Sequence, residues 1–210
     1  MILYGRLGCE DISQLANVKL NNYLEGDDMA RVPDIERETL DAEGQKIYDQ
    51  IRQDRNSPEV GLQFKALLNS PKAAGHLTSM GAQLRFQSAM PENLKELAII
   101  LVAREWNSVI EWTGHAVLAA RSGVSDSSIE SIRTWKASSG LSGDEVVIAR
   151  YVHEAIRDKE ISDHTFAAAH QFLGDQGITD LTLTVAYYTA LAIAQIALKP
   201  EMGGGRVSTL

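Results

Sequence analysis

The chain has 210 residues, and its 20 lysines and arginines against 28 aspartates and glutamates give a net charge of −8. This length predicts one domain, and a content of 44% hydrophobic and 23% charged residues is that of a globular protein. Because phosphate groups bind basic surfaces, the acidic balance argues against nucleic acid or an anionic membrane as a partner. The chain shows neither an uninterrupted apolar run long enough to cross a bilayer nor a secretory signal, so we expect a cytoplasmic protein.

Turn residues divide the first half of the chain into predicted helices over residues 41–53, 62–68 and 71–87. The third begins at Pro71, and its spacing predicts four inward-facing side chains: Leu77, Met80, Leu84 and Phe86. The next helix begins near Pro91. Because its run 97–103 is apolar nearly all round, we expect this helix at the centre of the core.

The second half continues in the same way. A helix over 108–121 ends at Gly123, and Ser125 caps a short helix that extends to Ile132. Ser142 and Glu145 match a capping box that opens the next helix. Two further helices are expected over residues 162–172 and 179–198, and no segment alternates as a half-buried strand does. The predicted fold class is therefore all-α.

The two ends differ from the middle of the chain. Residues 1–28 are polar and weakly patterned, which predicts either a flexible N-terminal arm or an over-extended start. Residues 29–200 form the predicted helical domain. Residues 201–210 are glycine-rich, and we expect them to be a flexible tail.

The chain has a single cysteine, Cys9. Within one chain this excludes a disulfide framework, a cysteine-based zinc cluster and a dithiol redox centre. The histidines at 153, 164 and 170 do not have the i, i+4 spacing with a carboxylate base that is typical of a metal site. We therefore expect neither a metal nor another cofactor.

One helix carries a group of residues that is suited to chemistry. Ser108, Glu111, Trp112 and His115 fall at i, i+3, i+4 and i+7, so all four project from one face of the 108–121 helix. Glu96 lies on the apolar helix just upstream, where an unpaired carboxylate would be costly. We expect Glu96 to contact His115, because such a contact fixes the ring tautomer and suits an acid–base role.

Each of these residues also has a purely structural interpretation. Ser108 and Glu111 match a capping box, Trp112 fits a core position, and His115 alone is typical of a hydrogen-bonded core histidine. Glu96 alone could pair with Lys95 or Arg104. The combined spacing, not any single residue, favours a functional site.

The run KELAIILVAREWNSVIEWTGHAVLAARSGVSDSSIESI, over 95–132, resembles the carboxymuconolactone decarboxylase and alkylhydroperoxidase D superfamily. In the peroxidase branch the second helix begins Cys-x-x-Cys-x-x-x-His, and here the two cysteine positions fall on Ser108 and Glu111. The family glutamate and histidine fall on Glu96 and His115. The flanks RVPDIERETL, KALLNSPKAAGHL and ISDHTFAAAHQFLGDQGITDLTLTVAYYTALA extend the resemblance over residues 29–200. It implies an alkylhydroperoxidase D-like helical bundle that forms a homotrimer or homohexamer.

The resemblance is to the decarboxylase-like branch, which lacks the paired cysteines. Dithiol peroxidase activity is not expected, since neither Ser108 nor Glu111 can cycle between thiol and disulfide. The resemblance implies a cofactor-independent lyase that decarboxylates a small carboxylated lactone or a related acid from aromatic catabolism. His115 would be the general acid–base, oriented by Glu96 and Glu111. Ser108 would face the developing oxyanion, and Trp112 would form an apolar wall.

Two further side chains are candidates for substrate binding. His76, on the helix before the site, lines the pocket in one interpretation and is simply exposed in the other. Arg85 could bind a substrate carboxylate as a fork.

The C-terminal helix differs from that of authentic lactone decarboxylases, so two alternatives stay open. The same site could serve an isomerase, a dehydratase or a lactone hydrolase, or the chain could be a non-catalytic ligand-binding oligomer with its site residues scattered.

Overall fold

The computed structural model describes residues 30–134, 140–141, 143–200 and 210. Within these residues the chain is helical and contains no strand, which confirms the all-α prediction. The predicted arm over 1–28, the tail residues 201–209 and the capping residue Ser142 lie outside the described residues. The alkylhydroperoxidase D-like arrangement of the helices stays a prediction.

A short 3-10 turn, Arg37–Thr39, precedes the helices, which we number in chain order. Their bounds are α1 Ala42–Asp54, α2 Leu62–Leu67, α3 Pro71–Gln87, α4 Glu92–Glu105, α5 Val109–Ser122, α6 Asp126–Arg133, α7 Asp144–His153 and α8 Asp163–Leu198. A π-helical turn, Glu154–Asp158, follows α7 directly.

Helix α4 is the centre of the core. Its residues are buried without a break from Leu94 to Ala103, and it packs against α5, α6, α7 and α8. A helix that is apolar all round has no face suited to water, so it is most stable when other helices surround it. The predicted central position of this helix is confirmed.

Helix α3 packs between α1 and α8 through one stripe of buried side chains: Ala74, Thr78, Gly81 and Leu84. This stripe follows the spacing of a single helix face. Met80 and Phe86 lie off the stripe and are exposed, Phe86 to 52%. The prediction that they face inward is wrong, because the helices packed against α3 cover the stripe and leave Met80 and Phe86 exposed.

The predicted gap between the last two helices is present as a break inside α8. Gly174 has φ 65° and ψ −176°, a conformation that is essentially restricted to glycine. The helix resumes directly after it, earlier than the predicted start at residue 179. Of the described helices, α8 is long and apolar enough to span a membrane by length and composition, a test that core helices of soluble proteins also pass.

Helix ends position the segments around α5. Helix α5 ends at Gly123, which is left-handed with φ 103°, as predicted for a C-terminal cap. Ser125 caps α6 by accepting a hydrogen bond from the Ser128 N–H. These two caps turn the chain so that α6 packs against both α4 and α5.

Candidate active site

Helices α4 and α5 bring Glu96 and His115 into direct contact. His115 Nδ1 lies 2.7 Å from Glu96 Oε2, and both side chains are buried, with 7% and 2% of their surface exposed. The contact expected from the sequence is therefore present. A carboxylate on Nδ1 holds the proton on that nitrogen and leaves Nε2 as the nitrogen with the lone pair.

Two groups approach the other ring nitrogen of His115. The Tyr188 hydroxyl, from α8, lies 3.2 Å from Nε2, and the two rings meet edge to face. Glu111 Oε2, one helical turn before His115, lies 3.7 Å from the same nitrogen. His115 thus stands between Glu96 on one side and Glu111 and Tyr188 on the other.

Gln195 links Glu111 to the start of α5. Its side-chain amide donates to Glu111 Oε1 at 2.6 Å, and its carbonyl oxygen accepts from Ser108 Oγ at 2.6 Å. Ser108 is the N-cap residue of α5, yet its side chain makes no capping hydrogen bond. The capping-box interpretation of Ser108 is wrong, because its hydroxyl is directed to α8 instead.

Burial determines the electrostatics of the site. It raises the pKa of Glu111 above its ordinary value, and the nearby His115 and the Gln195 amide reduce that rise only in part. Arg85 and Arg55 also lower the pKa of Glu111. Glu111 therefore keeps its proton to a higher pH than an exposed glutamate, as a general acid requires.

Two adjacent tyrosines complete the buried cluster. Burial raises the pKa of Tyr187 to about 12 and that of Tyr188 well above its ordinary value, so both are neutral hydroxyl donors near pH 7. Helix α3 comes very close to Tyr187, since a Cβ added at Gly81 would overlap the Tyr187 hydroxyl. Only a residue without a side chain fits there.

The remaining predicted site residues are placed differently. Trp112 is buried in the core, and a role in substrate contact stays a prediction. Arg85 is half-buried on α3 and near enough to Glu111 to affect its pKa. His76 is exposed, beside Glu43 and Ile47 of α1, and no hydrogen bond within the described residues joins it to the cluster. The structure does not bring His76 to the other predicted residues.

Sequence reasoning missed Tyr188, Gln195, Tyr187 and Arg55. A signal for the first two was present, because Tyr188 and Gln195 are seven residues apart and so share one face of a helix that is otherwise strongly apolar. Arg55 gave no signal. It lies at the end of α1, where its guanidinium donates to the Thr78 carbonyl and stacks on Phe64.

Within the described residues, no group of three or more histidine, cysteine, aspartate or glutamate side chains is arranged to hold a metal ion. Cys9 lies outside the described residues. No protein-family model matches the chain, and no curated protein matches it either. The superfamily resemblance therefore stays a prediction from the residues quoted above.

Proposed function

We propose that the chain is a cofactor-independent enzyme that moves protons with His115 and Glu111. The observation that carries this proposal is the buried contact series from Glu96 through His115 to Glu111. A non-catalytic oligomer with scattered site residues would have no reason to collect two carboxyl groups around one imidazole. Burying these groups costs free energy, which a function would explain.

The proposed reaction is a decarboxylation of a small carboxylated lactone or a related acid from aromatic catabolism. The bond between the carboxylate carbon and the ring breaks, CO2 leaves, and the electron pair passes through the conjugated system to the ring carbonyl oxygen. A proton must then reach carbon to give the product. The Glu111 carboxyl would supply this proton, directly or through His115 Nε2, whose lone pair can accept it and pass it on, with Glu96 fixing the ring orientation.

The start of α5 is suited to the charge that develops on the carbonyl oxygen. The first N–H groups of a helix have no partner inside it, and here the N-cap side chain does not satisfy them. Donors directed at a developing oxyanion are among the largest contributions to catalysis. Ser108 would add its hydroxyl, and Arg85 would bind the substrate carboxylate before it leaves.

Turnover of carboxylated lactones and β-keto acids, followed by CO2 release, tests the proposal. Since positioned proton transfer contributes about 10²–10⁴-fold, we expect His115→Gln to lose that much of kcat. Glu111→Gln should lose activity while keeping the hydrogen bond to Gln195. The matched control is His164→Gln, a substitution at an exposed histidine of α8 that should retain activity.

The products also separate the alternatives. Conversion without CO2, lost in His115→Gln, would assign the same site to an isomerase, a dehydratase or a lactone hydrolase. Full turnover by His115→Gln would overturn the assignment of this residue. Binding of these acids without any conversion would favour the ligand-binding oligomer.

We also propose that the chain is a cytoplasmic homotrimer or homohexamer, as the superfamily resemblance implies. Several large apolar side chains are exposed in the single chain, among them Phe86, Val117, Ile193 and Ile196. Contact between copies would remove such surface from water. Sedimentation equilibrium measures the mass directly, and a monomer at micromolar concentration would contradict this proposal.

A further inference from the structure

We propose that the chain has a second ligand site, a cavity that binds an amphipathic organic anion with one carboxylate. The cavity has a volume of about 610 Å³ and lies between α4, α6 and α7. Small-molecule sites have volumes of about 300–1,000 Å³. We call it the outer cavity, and it shares no lining residue with the His115 cluster.

The inside of the outer cavity is apolar. Its floor consists of three buried side chains: Leu101, Ile132 and Val152. Its walls consist of three side chains that are partly exposed: Leu141, Val146 and Ala149. Such a surface favours a hydrocarbon or an aromatic body over a polar one. A sugar or a nucleotide would leave its polar groups without partners there.

The mouth of the cavity is basic. Arg150, Arg157 and His153 lie along it, and about half or more of each side chain is exposed: 60%, 50% and 49%. Only one acidic residue, Glu105, is among the described lining residues. Each arginine contacts one carboxylate, so the edge presents oriented guanidinium groups and not a net positive charge.

Buried carboxylates hold these side chains in place. The side chain of Glu105 is 3% exposed, and its two oxygens lie 2.6 Å from Arg157 Nε and 3.5 Å from His153 Nδ1. Glu154 holds Arg150 Nε at 3.0 Å. Because Arg157 pairs with Glu105 at 2.6 Å, its guanidinium offsets the charge of this carboxylate at the mouth. An oriented guanidinium loses little freedom when it binds a carboxylate.

An apolar interior below an edge of oriented guanidinium groups is complementary to one chemical class. The apolar body of the ligand fills the cavity and its carboxylate meets Arg150 at the rim. The site is separate from the proposed catalytic cluster, since Glu96 and Glu105 are nine residues apart on α4, about 13 Å along the helix axis. The proposal stands without any assumption about the reaction at His115.

Calorimetric titration of the full chain with decanoate, decan-1-ol and decylammonium tests this. We expect one decanoate per chain, bound about tenfold more tightly than decan-1-ol, with decylammonium weakest. Arg150→Gln should remove this preference for decanoate, and Arg150→Lys should keep most of it. Arg121→Gln is the matched control, at an exposed arginine of α5 outside the cavity.

A second pair of variants tests the position of the site. Ala149→Trp fills the cavity and should abolish binding, whereas Ala167→Trp on an exposed face of α8 should not. Circular dichroism shows whether Ala149→Trp folds. If it does not fold, Val146→Glu, at a partly exposed position of the wall, tests the position of the site instead. The proposal is overturned by the absence of saturable binding, by equal affinity for decanoate and decan-1-ol, or by unchanged binding when both the Ala149 and Val146 variants are folded.

Discussion

Glu111 and Glu154 are both buried glutamates, and their environments act on them in opposite directions. Glu154 accepts hydrogen bonds from the Ser162 backbone N–H at 2.9 Å and from the Thr165 hydroxyl at 2.8 Å, together with the Arg150 contact. These donors lower the pKa of Glu154 to about 2. Glu111 accepts one hydrogen bond within the described residues, from the neutral Gln195 amide, and burial raises its pKa.

The difference shows that a buried glutamate in this fold can either join structural elements or hold a proton for a reaction. A carboxylate that meets backbone and cationic donors stays ionised and ties elements together, as Glu154 ties the end of α7 to the start of α8. A carboxyl group buried without such donors holds its proton more tightly and can give it up during a reaction. The environment around each glutamate, not its residue type, decides which of the two roles it can have.

The largest expected effect comes from breaking the central pair of the site. Glu96→Ala leaves the buried Nδ1–H of His115 without its acceptor, which costs about 1–3 kcal/mol, and the cavity left by the removed side chain adds to that cost. Urea unfolding measures the change. The control is Glu43→Ala, which breaks an exposed pair with Lys72 and should change stability by about 0.5 kcal/mol or less. Equal effects of the two variants would mean that the buried Glu96–His115 contact stabilises the fold no more than the exposed Glu43–Lys72 pair does.

A smaller effect is expected where α3 meets the site. Gly81→Ala places a Cβ against the Tyr187 hydroxyl, and such overpacking costs about 1–3 kcal/mol. Gly114→Ala is the matched control in α5, where a Cβ meets no atom within 4 Å. Because alanine favours a helix over glycine, this control should gain about 0.5–1 kcal/mol. Thermal unfolding of the two variants should therefore shift in opposite directions.

The pH dependence of stability sharpens the comparison at Glu154. Its folded pKa of about 2 lies below its ordinary value of 4.5. Its stabilising contribution is therefore present above the ordinary value and is lost as the pH falls through the folded pKa. We expect Glu154→Gln to flatten the decline in stability between these two pH values. An unchanged slope in urea unfolding at a series of pH values would contradict the structural role of Glu154.

Glu111 should behave in the opposite way. A raised folded pKa means that the folded chain holds this proton more tightly than the unfolded chain, so stability falls as the pH rises from the ordinary value through the folded one. Glu111→Gln removes this dependence and should be more stable than the natural chain at neutral pH. The same unfolding series measures it, and a loss of stability at neutral pH would show that the ionised carboxylate is favoured there.

The local pattern of the sequence was enough to identify the faces of single helices. The spacing of Glu111 and His115 placed them on one face of α5. Because an unpaired Glu96 carboxylate on an apolar helix would cost free energy, the sequence also predicted its contact with His115. Gly123 ends its helix as predicted. Each of these inferences depends on residues within one helix or on two consecutive helices.

Contacts between distant segments required the tertiary structure. Tyr188 and Gln195 reach the site from 73 and 84 residues beyond His115 and Glu111. Two further features likewise depend on which helices pack together: the exposure of Phe86 on α3 and the direction of the Ser108 hydroxyl toward α8. Helical periodicity fixes which side chains share a face, but only the packing of the helices decides what that face meets.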